Sequence, residues 1–448
     1  MTSWYGNDPV SLESRVPLPE IDRELETVRE GEHANLVPES LDAMRPFVLP
    51  PRSYDEMYRV ATVLLDLLRR TLFETAPTAA GRIAALDAPE DIYPLLMDGP
   101  FEDDYATCMA RPDIVVDATG PKFVEFNIGS GLGGVVDTFL HTNAWIAAFG
   151  GPDAAPFTTI DPLAVRDQIF VRAVRRLSAE PAVAVVGTFR DFGGKPSRYF
   201  EVQLESLAKR GLKAVHLEPE ELPDALGLPG KPRYQVGMRH FTILEWRALR
   251  IDLAPVHAAL DSGCLLIASQ TAYMVANKKV LAWLSEGRPW MTDGHRAIVR
   301  RYLPWTRVVQ DGPVDWKRAK RPLPELLVNN REWFVLKPAI GMSGQQVLVG
   351  RHCDDDTWKT AVTAAVATRD HIVQEYVEAA PYLMEFADAD RRGTFEAEVF
   401  PVVSPYVFDG RPGGCMVRYL APNQRGVVAV HGGHARSNVA LRGLRRAA

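Results

Sequence analysis

Between residues 180 and 270, short apolar runs alternate with amphipathic stretches, and this alternation limits the possible fold more than any other feature of the chain. AVAVVGTF predicts a buried strand, YFEVQLESLAKRG a helix ending at Gly211, and KAVHLEP a second strand. YQVGMRHF and CLLIAS predict further strands, with the helix APVHAALDSG between them. Strand and helix in alternation argue for an open, mostly parallel sheet. From about residue 330 the pattern changes. WFVLKPAIG, QQVLVG and HIVQEYV predict strands around a helix at 357–368, and RGTFEAEVFPVVSPYVF, GGCMVRYLA and GVVAVHGG add more. That is an α+β unit built on antiparallel strands.

Residues 1–50 are rich in Pro, Glu and Asp with weak periodicity and predict an irregular arm. Apolar residues at helical spacing predict an amphipathic helix from Tyr54 to Ala76. DIVVDATGPKFVEFNIG predicts two short strands about the turn Ala118-Thr119-Gly120, and LAVRDQIFVRAVRRLS predicts a helix. The expected division is an irregular arm at 1–50 and further segments at 51–160, 161–275 and 276–448.

Several function classes are excluded by composition. A net charge of −6 gives no overall attraction to nucleic acid or to an anionic membrane, and no basic stripe interleaved with aromatics suggests a nucleic-acid partner. No apolar stretch reaches membrane-spanning length, and the N-terminus lacks a basic start followed by an apolar run. Cys108, Cys264, Cys353 and Cys415 show no Cys-x-x-Cys spacing, which argues against a zinc site or a disulfide framework and fits a reducing cytoplasm.

The chain has 11 lysines among its 51 basic residues, so a lysine inside an apolar segment stands out. FVLKPAIGMSGQQVLVG delivers Lys337 from a strand into a loop containing Gly341, Ser343 and Gly344, a form that can set a cation and backbone N–H groups around phosphate oxygens. It can equally be a hairpin with a lysine at its mouth. YMVANKKVLAWLSE places Lys278 and Lys279 at the start of a helix, where the dipole favours anions; a bound phosphate or a solvated basic turn would explain them. HIVQEYVE runs into Gln374, Glu375, Tyr376 and Val377, whose backbone edge could meet a base or could be a plain strand. In PKFVEFNIGSGLGG, Glu125 and Asn127 share one face of a strand and suit a hard cation, although a polar strand edge has the same spacing.

The order of these segments resembles the ATP-grasp superfamily, in particular the circularly permuted branch that includes eukaryotic glutathione synthetase and related amide ligases. The resemblance covers about residues 115–440. It implies a circularly permuted ATP-grasp fold with an open α/β substrate domain, and the cofactors ATP and Mg²⁺. By the same resemblance Glu125 and Asn127 match magnesium ligands, and Ser130 and Gly131 match a segment that meets the acceptor substrate. Lys279, or its neighbour Lys278, matches an ATP-phosphate lysine. Lys337 matches the lysine of an LKP motif, with Gly341–Gly344 as a lid loop. Gln374, Glu375 and Val377 fall at the adenine-holding hinge, and Arg418 and Arg436 become candidates for phosphate or acyl-phosphate contact. Arg190 and Arg239, at strand ends of the α/β segment, are candidates for binding an acid. The chain departs from the resemblance at Gly341, where the ligases carry an acidic metal ligand; Glu396 and Glu398 are the expected substitutes.

The activity implied is a carboxylate–amine ligase working through an acyl phosphate, with small-molecule carboxylate and amine substrates and a homodimer left open. Two other readings stand beside it. One is a nucleotide-gated binding module without catalysis. The other is a nucleotide-dependent oxidoreductase using VVGTFRDFGG, which lacks the Gly-x-Gly-x-x-Gly spacing.

Overall fold

Val183, Ala184, Val185 and Val186 are all fully buried, as a strand covered on both faces requires. The computed structural model describes residues 4–6, 16–31, 43–97, 99–192, 198–225, 227–228, 231–341, 344, 346–390, 392–426, 428 and 435–444. The strand Ala182–Val186 lies between Lys213–Leu217 and Val236–Arg239, and Leu265–Ile267 flanks the latter; every neighbouring pair is parallel. The expected open parallel sheet is therefore present, with helices Tyr199–Lys209 and Ala254–Asp261 as connections. Its chain order reverses between Ala182–Val186 and Val236–Arg239. Crevices at the carboxyl ends of such strands are where ligands of open α/β sheets bind.

A larger sheet gathers segments from both ends of the chain. Its order is Phe47–Leu49, Arg436–Gly443, Arg411–Tyr419, Val402–Phe408, Met109–Asp117 and Gly120–Ile128, with Phe157–Thr158 also on Arg436–Gly443. The first two strands run parallel and the others antiparallel. The helix Pro51–Phe73 covers it, burying Met57, Val60, Ala61, Leu64 and Leu68 from a stripe of helical period. A third sheet, antiparallel, has the order Thr306–Val308, His371–Glu375, Phe334–Pro338 and Leu348–Val349. Trp358 and Val362 of the helix Asp355–Thr368 and Leu326 and Leu327 of Leu323–Asn329 pack against Phe334, Leu336 and Val373.

One difference from the sequence reading has a clear cause. The arm is not wholly irregular: Leu18–Gly31 is a helix lying on Val135–Ala148, with Ile21 buried near Trp145. Its apolar residues Leu18, Ile21, Leu25 and Val28 keep helical spacing, but the charges and flanking prolines of the arm mask them in the sequence. Val402–Phe408, Arg411–Tyr419 and Arg436–Gly443 join the sheet built on 109–128. The strand expected over GVVAVHGG falls mostly on 429–434, outside the described residues. Among the described residues no helix is long and apolar enough to cross a membrane.

Phe47 is fully buried and meets Tyr382 and Tyr419 at ring-centroid distances of 4.5 and 5.7 Å. Phe47→Ala is expected to lower unfolding free energy by about 3–5 kcal/mol in a urea titration; a loss below about 1 kcal/mol would show that the first strand is not part of the cooperative core.

Candidate active site

The site starts from the hairpin of Met109–Asp117 and Gly120–Ile128. Asp117 Oδ1 accepts from the N–H groups of Thr119 at 2.7 Å and Gly120 at 3.0 Å, closing the turn the sequence predicts. The register then sets Arg111 opposite Asn127 and Asp113 opposite Glu125, so four polar side chains share one face. Across the next two strands, Arg418 Nη2 lies 2.7 Å from Asp113 Oδ1, and Ser404 Oγ donates to the same oxygen at 2.9 Å. Arg111 Nε is 3.7 Å from it, while Arg111 Nη1 donates to the Gly133 carbonyl at 2.7 Å. Burial would raise the Asp113 pKa, but the guanidiniums of Arg418 and Arg111 hold it below the usual carboxylate range.

Two lysines reach the same strand from distant segments. Lys337, delivered by Phe334–Pro338, donates to Gln374 Oε1 at 2.8 Å and to the Val124 carbonyl at 3.2 Å. Lys278, at the start of Lys278–Glu286, pairs with Glu125 Oε1 at 3.0 Å and donates to the Gly341 carbonyl at 3.4 Å. The Lys278 backbone N–H donates to Ala339, and Asn277 caps the helix by accepting from the Lys279 N–H at 3.0 Å. Lys279 points elsewhere. Its ammonium donates at 2.7 Å to Leu86, the last residue of the helix Ala79–Leu86, where the dipole favours a cation. Lys278, not Lys279, therefore faces the cleft with Lys337.

The glycine turn closes the third side. Gly129 has φ +142°, and a Cβ there would meet the Tyr273 ring at 3.0 Å; Gly134 has φ +80°, and its Cβ would meet Met416 Sδ at 2.4 Å. Glycine is required at both, by conformation and by space. Ser130 Oγ donates to the Arg239 carbonyl at the end of Val236–Arg239, and Tyr273 Oη donates to Phe241 at 2.9 Å. The Arg239 guanidinium is 2% exposed and lies 5.2 Å from the Tyr273 ring centroid. Its Nη2 donates to Ala268 at 2.6 Å, its Nε has no hydrogen-bond partner, and no carboxylate among the described residues lies within 4.0 Å. Burial lowers its pKa, and the Tyr273 hydroxyl and the more distant Glu102 carboxylate oppose that shift.

The structure thus brings together Glu125, Asn127, Lys278, Lys337 and Arg418, with Ser130, Gly131 and Arg239 alongside. Other candidates stand apart. Arg190 is exposed and pairs with Glu220, at the surface of the parallel sheet. The register pairs Arg436 with Tyr419, one residue out of phase with Arg418, so strand alternation sends it to the opposite face. Gln374 is buried, accepting from Lys337 and donating to Thr306 Oγ1 at 3.1 Å, so it positions the lysine. The N–H groups of Glu375 and Tyr376 donate to the Trp305 and Trp333 carbonyls, and Val377 follows them. Gly344 has φ +70°, and Ser343 lies outside the described residues. Arg111 and Asp113 are the functional candidates that the sequence reading missed; the alternation Arg-x-Asp facing Glu-x-Asn was the signal.

A resident magnesium ion does not fit this donor set. Magnesium demands a near-octahedral shell of oxygens. Glu125 Oε1 is held by Lys278 and Asp113 is saturated by its guanidiniums and Ser404; the Asn127 amide nitrogen donates to the Arg111 carbonyl at 3.1 Å, so its Oδ1 is left as an oxygen donor, too few with Glu125 to build such a shell from protein alone. Glu396 and Glu398 stand exposed on Thr394–Val399, and among the described residues no group of three His, Cys, Asp or Glu side chains could hold a metal.

No protein-family model matches the chain, and no curated protein matches it. Among solved structures it is similar to a glutathione synthetase-like effector from Globodera pallida in its apo form, at 13% identity and a TM-score of 0.58, covering 98% of each chain. A second similar structure is a putative γ-glutamylcysteine synthetase from Methylobacillus flagellatus KT, at 13% identity and a TM-score of 0.39, covering 84% of this chain and 87% of that one. The first likeness shows a fold similar to that of the glutathione synthetase-like effector over 98% of the chain.

Burial pushes the Lys337 ammonium down to about 8; Glu125 and Asp113 oppose that shift and Lys278 adds to it. An unfolded lysine holds its proton to about pH 10.4, so between about 8 and 10.4 the unfolded state binds more protons and this group makes stability rise with pH. Relative to Lys337→Met, the wild type is therefore expected to gain stability between about pH 7 and about pH 9.5 in urea titrations. An unchanged difference would show that Lys337 keeps its proton throughout.

Proposed function

We propose that the chain is an ATP-dependent carboxylate–amine ligase of the circularly permuted ATP-grasp type, forming an amide through an acyl phosphate. The observation that carries this reading is the convergence of Lys337, Lys278 and the Arg418–Asp113–Arg111 cluster on one face of the strand bearing Glu125. A triphosphate is a polyanion, and fixed cations in a half-dry cleft hold it without reorganising. The glutathione synthetase-like fold supports the same class.

In the first step a carboxylate oxygen of the substrate attacks the γ-phosphorus, the bond from that phosphorus to the bridging oxygen breaks, and ADP leaves. Lys337 and Lys278 offset the charge of the two approaching anions. In the second step an amine attacks the acyl carbon, phosphate departs with the former carboxylate oxygen, and the amine releases a proton. Arg418 and Arg111 share a single carboxylate, so one positive charge of the pair remains to stabilise the oxyanion. Arg239, buried with no carboxylate within ion-pair distance among the described residues, and the Ser130–Gly131 turn would receive a carboxylate of one substrate.

One observation favours a second reading, a nucleotide-binding module without transfer: Glu125 is already paired with Lys278, and among the described residues no group of three His, Cys, Asp or Glu side chains could hold a metal. The two separate in one assay. With ATP, hydroxylamine and a panel of small carboxylic acids, a ligase releases ADP and forms hydroxamate, whereas a binding module binds ATP and forms neither. Lys337→Ala is expected to lower ADP release by at least about 10²-fold with circular dichroism unchanged; near-normal turnover in that variant would remove the phosphate role of Lys337.

A further inference from the structure

The cleft carries a cation of its own beside its carboxylate. The Lys278 ammonium lies 3.0 Å from Glu125 Oε1 and 3.4 Å from the Gly341 carbonyl oxygen. Its backbone is pinned twice, by its N–H on Ala339 and by the Asn277 cap beside it, so the ammonium is presented by a fixed helix start. Lys278 is only 8% exposed, and a lysine buried to that extent needs a partner. Asp113, the carboxylate directly across the ladder from Glu125, cannot recruit a metal to join it, because Arg418, Arg111 and Ser404 already surround it. Gly341 offers this spot a carbonyl and no side chain.

We infer that Lys278 is the permanent counter-cation of Glu125 and takes the place of a protein-held divalent ion, so that the cleft receives a nucleotide's phosphates without a metal of its own. This rests on the nucleotide reading above. Charge supports it. Lys278, Lys337, Arg111 and Arg418 are four cations facing the two carboxylates Glu125 and Asp113, which leaves a surplus of two positive charges in the cluster before any metal enters. Magnesium would then arrive on the nucleotide, held chiefly by phosphate oxygens.

Two measurements on the full chain test it. Mn²⁺ is titrated into the nucleotide-free protein and followed by the free-ion paramagnetic resonance signal, and ATP affinity is measured by calorimetry in excess EDTA and in excess Mg²⁺. The free-ion signal is expected to persist undiminished. ATP dissociation constants in the two buffers are expected to agree within about threefold, and Lys278→Met to weaken binding in EDTA by at least about tenfold, with Lys278→Arg restoring it. A saturable Mn²⁺ site in the wild type, or ATP binding that EDTA abolishes and Mg²⁺ supports, overturns the inference. ATP binding in neither buffer overturns the ligase reading instead, and the manganese titration still decides which cation Glu125 holds.

Discussion

The register of one β-hairpin governs the polar centre of this protein. Asp117 folds back on the N–H groups of Thr119 and Gly120, and that turn fixes which residues of Met109–Asp117 oppose which residues of Gly120–Ile128. Because strand side chains alternate, a slip of one residue would send Arg111, Asp113, Glu125 and Asn127 to different faces and break the cluster. A bulge between Asp113 and Ile114 lies next to the acidic pair, and the bend it makes occurs where Ser404 and Arg418 approach from the neighbouring strands.

Around that hairpin the molecule assembles an excess of positive charge that it only partly neutralises itself. Asp113 and Glu125 are each engaged by basic side chains, while Arg239 remains buried against aromatic rings and a backbone carbonyl. Removing one partner of such a buried set leaves an uncompensated charge, so the cluster holds its members tightly in the absence of ligand. The two adjacent lysines divide the labour by helix geometry: one faces the carboxylate, the other the carbonyl end of a neighbouring helix.

Much of the fold was legible from period. The parallel strands of 182–267 and the antiparallel pairs around Lys337 follow from apolar runs and their spacing, and these elements bury what their patterns say they should. Local chemistry pointed to Glu125, to Lys337 and to the adjacent pair Lys278 and Lys279, without telling which of the two faces Glu125. Long-range phase was not. Nothing local tells that Arg436 leaves its strand on the face away from Arg418, or that Arg190 ends in a surface ion pair while Arg239 is swallowed beside the glycine turn. Arg111 and Asp113 were passed over because each is an ordinary strand residue until the ladder shows what it faces.

The parallel pairing of Phe47–Leu49 with Arg436–Gly443 bears on how the molecule is made. One edge of the large sheet joins residues nearly four hundred positions apart, and loop-closure entropy makes such contacts late. During synthesis the emerging chain must therefore carry Phe47–Leu49 unpartnered until Arg436–Gly443 has been made, a long interval in which a chaperone would have to shield it.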